Sequence, residues 1–244
     1  MNSLSKNEKL LTCGALLLLV TAALLPAIPQ DQAYHHFADT RALLGVPRAA
    51  DSLSNLGFLG MGLYGAFMMA TRRLVFFSNA LRASAAVFFL GFLATAVGST
   101  YYHLAPDDAG LVVDRLGMVV VFAGVLGMAA AHRITERAGY ASLVFALLAG
   151  PASVAWWAFS GSLTPYALVQ FGGIALVMAT LRSPARGAGP NWTAFLAIYA
   201  LAKLFEIADS RIFELTHHLV SGHTLKHVLA ALSVLAVTSA LKQT

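Results

Sequence analysis

Five polar residues stand in stretches that are otherwise lipid-like, and all five are of kinds that do chemistry. The segment "GSTYYH" carries Ser99 and His103, four apart and therefore on one face of a helix. Asp114 follows in "LVVDRLGM", eleven residues after His103. The segment "SGHTLKH" carries His223 and His227, again four apart. Two imidazoles at that spacing can grip one metal ion, and a third from another helix completes an open site. Three neutral histidines with a water in the fourth position favour zinc. A carboxylate near such a metal can orient and deprotonate the water, a role open to Asp114. Ser99, one turn from His103, could donate a hydrogen bond to a developing oxyanion. Each feature has an ordinary reading: Ser-x3-His pairs are common in helices, and Asp114 could pair with Arg115 or cap a helix. Their agreement is what favours a joint site.

The elements that must position these groups are membrane helices. Of 244 residues, 58% are hydrophobic and only 11% charged, with a mean hydropathy of +0.72. A soluble domain carries about a quarter charged residues. The composition therefore predicts an all-α, polytopic membrane helix bundle. The net charge of +5 comes from bases scattered in short loops, not from a basic stripe, which argues against a nucleic-acid partner. A single cysteine, Cys13, excludes a disulfide framework. Eight spans are expected, near 10–28, 52–71, 83–103, 111–131, 139–159, 164–181, 192–209 and 222–241. Breakers or charges separate them, among them "TRRL", "APDDAG", "RSPARGAGPN" and "DSRIFELTHH". The shortest separator, Ser160 to Leu163, predicts an antiparallel hairpin. The first span follows Lys6 and Lys9 like a signal peptide, but it exceeds the usual core of about 7–15 residues, so a retained anchor is expected.

Alternating loops place ten Lys and Arg residues on one side and only Arg41, Arg48 and Arg211 on the other. That asymmetry puts both termini in the cytoplasm. Most acidic residues and every histidine except His132 then fall on the outer side. Asp114 in the fourth span is costly in lipid unless it faces a polar interior. Trp156, Trp157 and Trp192 fit interfacial belts. His35, His36, His217 and His218 read as solvated loop residues. Lys203, Glu206 and Asp209 form a polar face on the seventh span, with an ion pair between Lys203 and Glu206 as the simpler reading and support for a zinc shell as the sharper one. Asn55 is expected to hydrogen-bond another helix, and Lys226 to reach lipid head groups.

Ser99-x3-His103, Asp114 and His223-x3-His227, with "YYHL" and "SGHTLKH", resemble the alkaline ceramidase family. That family belongs to the CREST superfamily of membrane hydrolases, which also holds the progestin and adipoQ receptors. The resemblance covers roughly residues 45–241. It implies a single membrane domain, with residues 1–44 as an N-terminal helix and outer loop and 45–244 as a seven-helix core. It implies zinc on His103, His223 and His227, with Asp114 handling the water proton and Ser99 assisting the water or the oxyanion. The implied reaction cleaves the amide of ceramide, drawn from the membrane, to a sphingoid base and a fatty acid. No obligate protein partner is implied. Eukaryotic members carry an acidic, Trp-containing calcium segment before the first core helix. Here the stretch has Asp39 and Asp51 but no Trp, and a basic Arg48, which argues against calcium. The extra N-terminal span is a second departure, and together they suggest a divergent, bacterial member in the cytoplasmic membrane. Two rival expectations are a receptor-like signalling protein with a structural zinc and a haem protein ligated through His103 and His223 or His227.

Overall fold

The computed structural model describes residues 3–242. Helix α1 spans Lys6–Leu24, α2 Ala49–Ser54, α3 Leu56–Ala70, α4 Asn79–Leu104, α5 Asp108–Arg133 and α6 Glu136–Ser160. Then follow α7 Thr164–Ala167, a π-helical turn Leu168–Gly172, α8 Gly173–Thr180, α9 Trp192–Ile207, α10 Asp209–Leu215 and α11 Gly222–Thr238. A 3-10 turn, Gln32–His35, lies between α1 and α2. The architecture is all-helical, and each of the eight predicted spans carries helix. Five are long and apolar enough to cross a membrane: Lys6–Leu24, Ala49–Ala70, Asn79–Leu104, Asp108–Arg133 and Glu136–Ser160. Thr164–Thr180 is a shorter apolar helix.

Local chemistry sets the ends. Ser5 and Glu8 close a capping box at the start of α1, Thr135 caps α6, Asn191 caps α9 and Ser221 caps α11. α6 ends at Gly161 in the left-handed region, and α7 starts three residues on, which makes the expected tight turn. Two segments depart from expectation. The seventh span stops at Ile207, and "DSRIFEL", read as a separator, is the short helix α10. Among the tryptophans, Trp156 is exposed, whereas Trp157 and Trp192 are core residues and not interfacial anchors.

The chain forms two compact units. The first holds the described residues up to Gln30, with Phe76–Phe88 and Val119–Gly189. In it, Glu8 near the start of α1 is buried at 4% exposure and receives a bidentate fork from Arg137 (2.7 and 3.0 Å) plus the Thr135 hydroxyl (2.6 Å). That clamp ties α1 to the first turn of α6. An apolar cavity of about 330 Å³ lies between α1, α5, α6 and the π-helical turn.

The second unit holds Asp31–Val75, Phe89–Met118 and the chain from Pro190 onward. Every predicted site residue is in it. α11 packs along α9 and against α2 and α3. The end of α4 meets the start of α5 at Gly98, where an added Cβ would strike the Val113 carbonyl and crowd the Asp114 Cα. Gly98→Val is expected to push these helices apart at a cost of about 1–3 kcal/mol. A lowered Tm of the detergent-solubilised protein is the readout; an unchanged Tm would contradict the close packing.

Candidate metal centre

His103 lies near the end of α4, and His223 and His227 occupy the first two turns of α11. All three are buried. Their ring centroids form a near-equilateral triangle of 4.8, 4.9 and 4.7 Å. One ligand nitrogen from each lies within 4.8 Å of the others, and His103 Nε2 stands 3.2 Å from His223 Nε2. Two nitrogens bound at about 2.0–2.1 Å to one tetrahedral metal stand about 3.3 Å apart, so the spacing suits a shared ion. His103 Nδ1 is buried with no hydrogen-bond partner. Among the described residues, no fourth His, Cys or carboxylate joins the group. The triad could therefore hold a metal ion and leave a coordination position open.

The surrounding shell sets the ligands' orientation. Ser54 Oγ donates its one hydrogen to the Asp51 carbonyl (2.8 Å) and also lies 2.7 Å from His227 Nδ1. A hydroxyl has a single hydrogen, so Nδ1–H must be the donor to Ser54, which leaves the Nε2 lone pair facing the triad. The Asp51 side chain, fully buried, accepts from Thr224 Oγ1 (2.6 Å) and Ser221 Oγ (3.2 Å) and so fixes the first turn of α11. Asp209, at the start of α10, accepts the His223 backbone N–H (2.8 Å). Gly222 permits this approach, since a Cβ there would collide with the Phe205 carbonyl and the Asp209 backbone. Ser54→Ala is expected to weaken metal affinity about 10–100-fold. Competition with a chromophoric chelator measures it, and unchanged affinity would show that Ser54 does not orient the ligand.

Ser99 and Asp114 are both buried, and the Ser99 hydroxyl lies close enough to the Asp114 carboxylate to act on it. The structure thus joins Asp114 on α5 to the α4 turn next to His103. Phe37 lies tilted against His103 and edge-on to His223, with ring centroids 4.7 and 4.6 Å away, and Phe58 lies 5.5 Å from His227, so apolar rings line the triad. The strap carrying Phe37 is held by Asp209, which accepts from the Ala38 N–H at 2.9 Å, and by Arg41, which reaches the Leu219 carbonyl. Arg41 also grips Asp39 and holds its carboxyl below the usual carboxylate range.

Several expectations are corrected here. His35 is not solvated: its side chain is only 9% exposed, with Nδ1 2.9 Å from the Tyr102 hydroxyl and Nε2 3.1 Å from Asp108. The Tyr102 side of the ligand helix offered it a buried partner that the loop sequence did not reveal. Lys226 does not reach for head groups; it pairs with Glu206 at 3.1 Å. Asn55 turns its amide back to the carbonyls of Asp51 and Ser52 in its own turn instead of bridging helices. Lys203 does pair with Glu206, and His36, His217 and His218 are exposed. Sequence reasoning missed the roles of Ser54 and Asp51, whereas Asp209, expected on the polar face that offered support for a zinc shell, does hold the His223 backbone. The polar run "DSLSN" inside an apolar span was the available signal for the first two.

No protein-family model matches the chain, and no curated protein matches it either. The functional reading therefore rests on the residues and their geometry.

Proposed function

We propose that this chain is a zinc-dependent membrane amidohydrolase that cleaves ceramide-like lipids to a sphingoid base and a fatty acid. The convergence of three buried imidazoles from two helices, His103, His223 and His227, carries the reading. The absence of a fourth protein ligand among the described residues supports a hydrolytic role over a structural one. When bound, zinc polarises a carbonyl and lowers the pKa of a water towards about 7.

The chain's own residues supply the proton handling. Asp114 accepts a proton from the attacking water as its oxygen bonds the amide carbon. Once protonated, Asp114 becomes the donor to Ser99, and the Ser99 hydrogen is released to face the oxyanion. Asp114 then returns the proton to the amide nitrogen as the C–N bond breaks, giving a carboxylic acid and an amine. The Ser99–Asp114 contact supports this exchange, because one hydroxyl cannot donate to both partners at once.

The bundle is read as seven core spans plus one N-terminal span, both termini cytoplasmic and the site near the outer leaflet, where a long-chain substrate enters laterally. The positive-inside asymmetry supports that orientation. In the test, purified protein is incubated with N-acyl sphingosines and the released sphingoid base is quantified. Turnover is expected to stop on chelation and return with zinc. Failure of zinc-loaded, folded protein to release base from any N-acyl lipid would overturn the proposal.

A further inference from the structure

Two lysines share one carboxylate beside the triad. Lys203 Nζ contacts Glu206 Oε2 at 2.5 Å and Lys226 Nζ contacts Oε1 at 3.1 Å, while the Tyr34 hydroxyl donates to the same Oε1 at 3.3 Å. The three charged side chains are 26%, 16% and 15% exposed, in the order Lys203, Lys226, Glu206. An ammonium has three N–H donors. Among the described residues, each lysine spends one on Glu206 and has no second hydrogen-bond partner. Glu206 thus receives three donors, and each partly exposed ammonium keeps two N–H groups for a further acceptor.

Position gives this surplus a purpose. Lys226 follows His223 by three residues on α11 and so borders the ligand face. Its charge acts on His103, His223, His227 and Asp114 alike. Two partly buried ammonium groups held by a common carboxylate form a fixed receptor for an anionic oxygen pair. The same groups repel a cationic head group, which adds discrimination. Amide hydrolysis produces a carboxylate, and some N-acyl lipids carry one in the head group.

We infer that Lys203 and Lys226 form a subsite for the carboxylate of an amphiphile, either the head group of an N-acyl amino-acid lipid or the released fatty acid. The inference rests on the hydrolase reading but is tested separately from it, by binding. Full-length zinc-loaded protein in neutral detergent is titrated with dodecanoate, methyl dodecanoate and dodecylamine. Dodecanoate is expected to bind at least tenfold tighter than the other two, and Lys226→Met is expected to abolish that preference. This variant keeps the Lys203–Glu206 pair, so no charge is left buried alone, and it keeps the histidines, so any direct carboxylate–zinc contact is common to both proteins. Unchanged zinc content and Tm establish that it is folded, and Lys203→Met serves as the second variant. Loss of preference in either variant supports the subsite. No preference in the wild type, or full preference in both variants, overturns it.

Turnover of N-dodecanoylglycine against its methyl ester separates the two sources. A head-group subsite favours the acid at least tenfold, and Lys226→Met removes the difference. A product subsite leaves the two substrates equal, and Lys226→Met weakens inhibition by dodecanoate about tenfold. No turnover of any amide with the binding preference intact rejects the hydrolase and leaves the subsite standing.

Discussion

His103→Ala is expected to release the metal and reduce turnover to background. The variant leaves only His223 and His227, neighbours on one helix, and removes the single ligand that comes from α4. Two imidazoles and solvent hold zinc far more weakly than three, because the third ligand is the one that packing brings from a distant part of the chain. Elemental analysis should fall from near one zinc per chain to near none, and hydrolysis should fall with it. Because His103 is 1% exposed and packs against Phe37 and Tyr102, its truncation also leaves a cavity. A folded-state check, by Tm and monodispersity in detergent, therefore accompanies the assay. Folded variant with full zinc and full turnover would remove the basis of the proposed site.

Asp114→Asn should separate proton transfer from metal binding. The substitution conserves shape and leaves Ser99 a partner, but an amide cannot take a proton from water. A loss of about 10²–10⁴ in kcat is expected, with zinc content and KM near those of the wild type. The Ser99–Asp114 contact makes a further demand. If Ser99 reaches the oxyanion only after Asp114 is protonated, Ser99→Ala should cost activity in the wild type and little more in the Asp114→Asn background. Additive losses would show that the two act independently, and a kcat within a factor of ten of wild type for Asp114→Asn would exclude it as the base.

The site was partly legible for a definite reason. Helical periodicity declares which residues share a face of one helix, so Ser99 with His103, and His223 with His227, could be paired from spacing alone. It also explains the errors. His35 and Lys226 were assigned to solvent and head groups because neither has a partner within its own segment. Their partners, Tyr102 and Asp108 for one and Glu206 for the other, lie 67, 73 and 20 residues away. Asn55 erred in the opposite direction, finding its acceptors three and four residues back where a distant helix was expected.

What the sequence determined by itself was the solvent and the local geometry. An apolar, charge-poor chain with breakers between its apolar runs forms apolar helices that satisfy their own backbone polar groups, five of them among the described residues long and apolar enough to cross a membrane. It also determined which polar residues were expensive enough to need a purpose. Only the tertiary structure decided that the α4 histidine meets the α11 pair, that Ser54 sets the His227 tautomer, and that two lysines share Glu206. Those contacts depend on how closely backbones approach, at Gly98 and Gly222 above all. Periodicity within a helix says nothing of which faces meet; that is settled by packing between separate segments, 20 residues apart for Lys226 and Glu206 and 120 for His103 and His223.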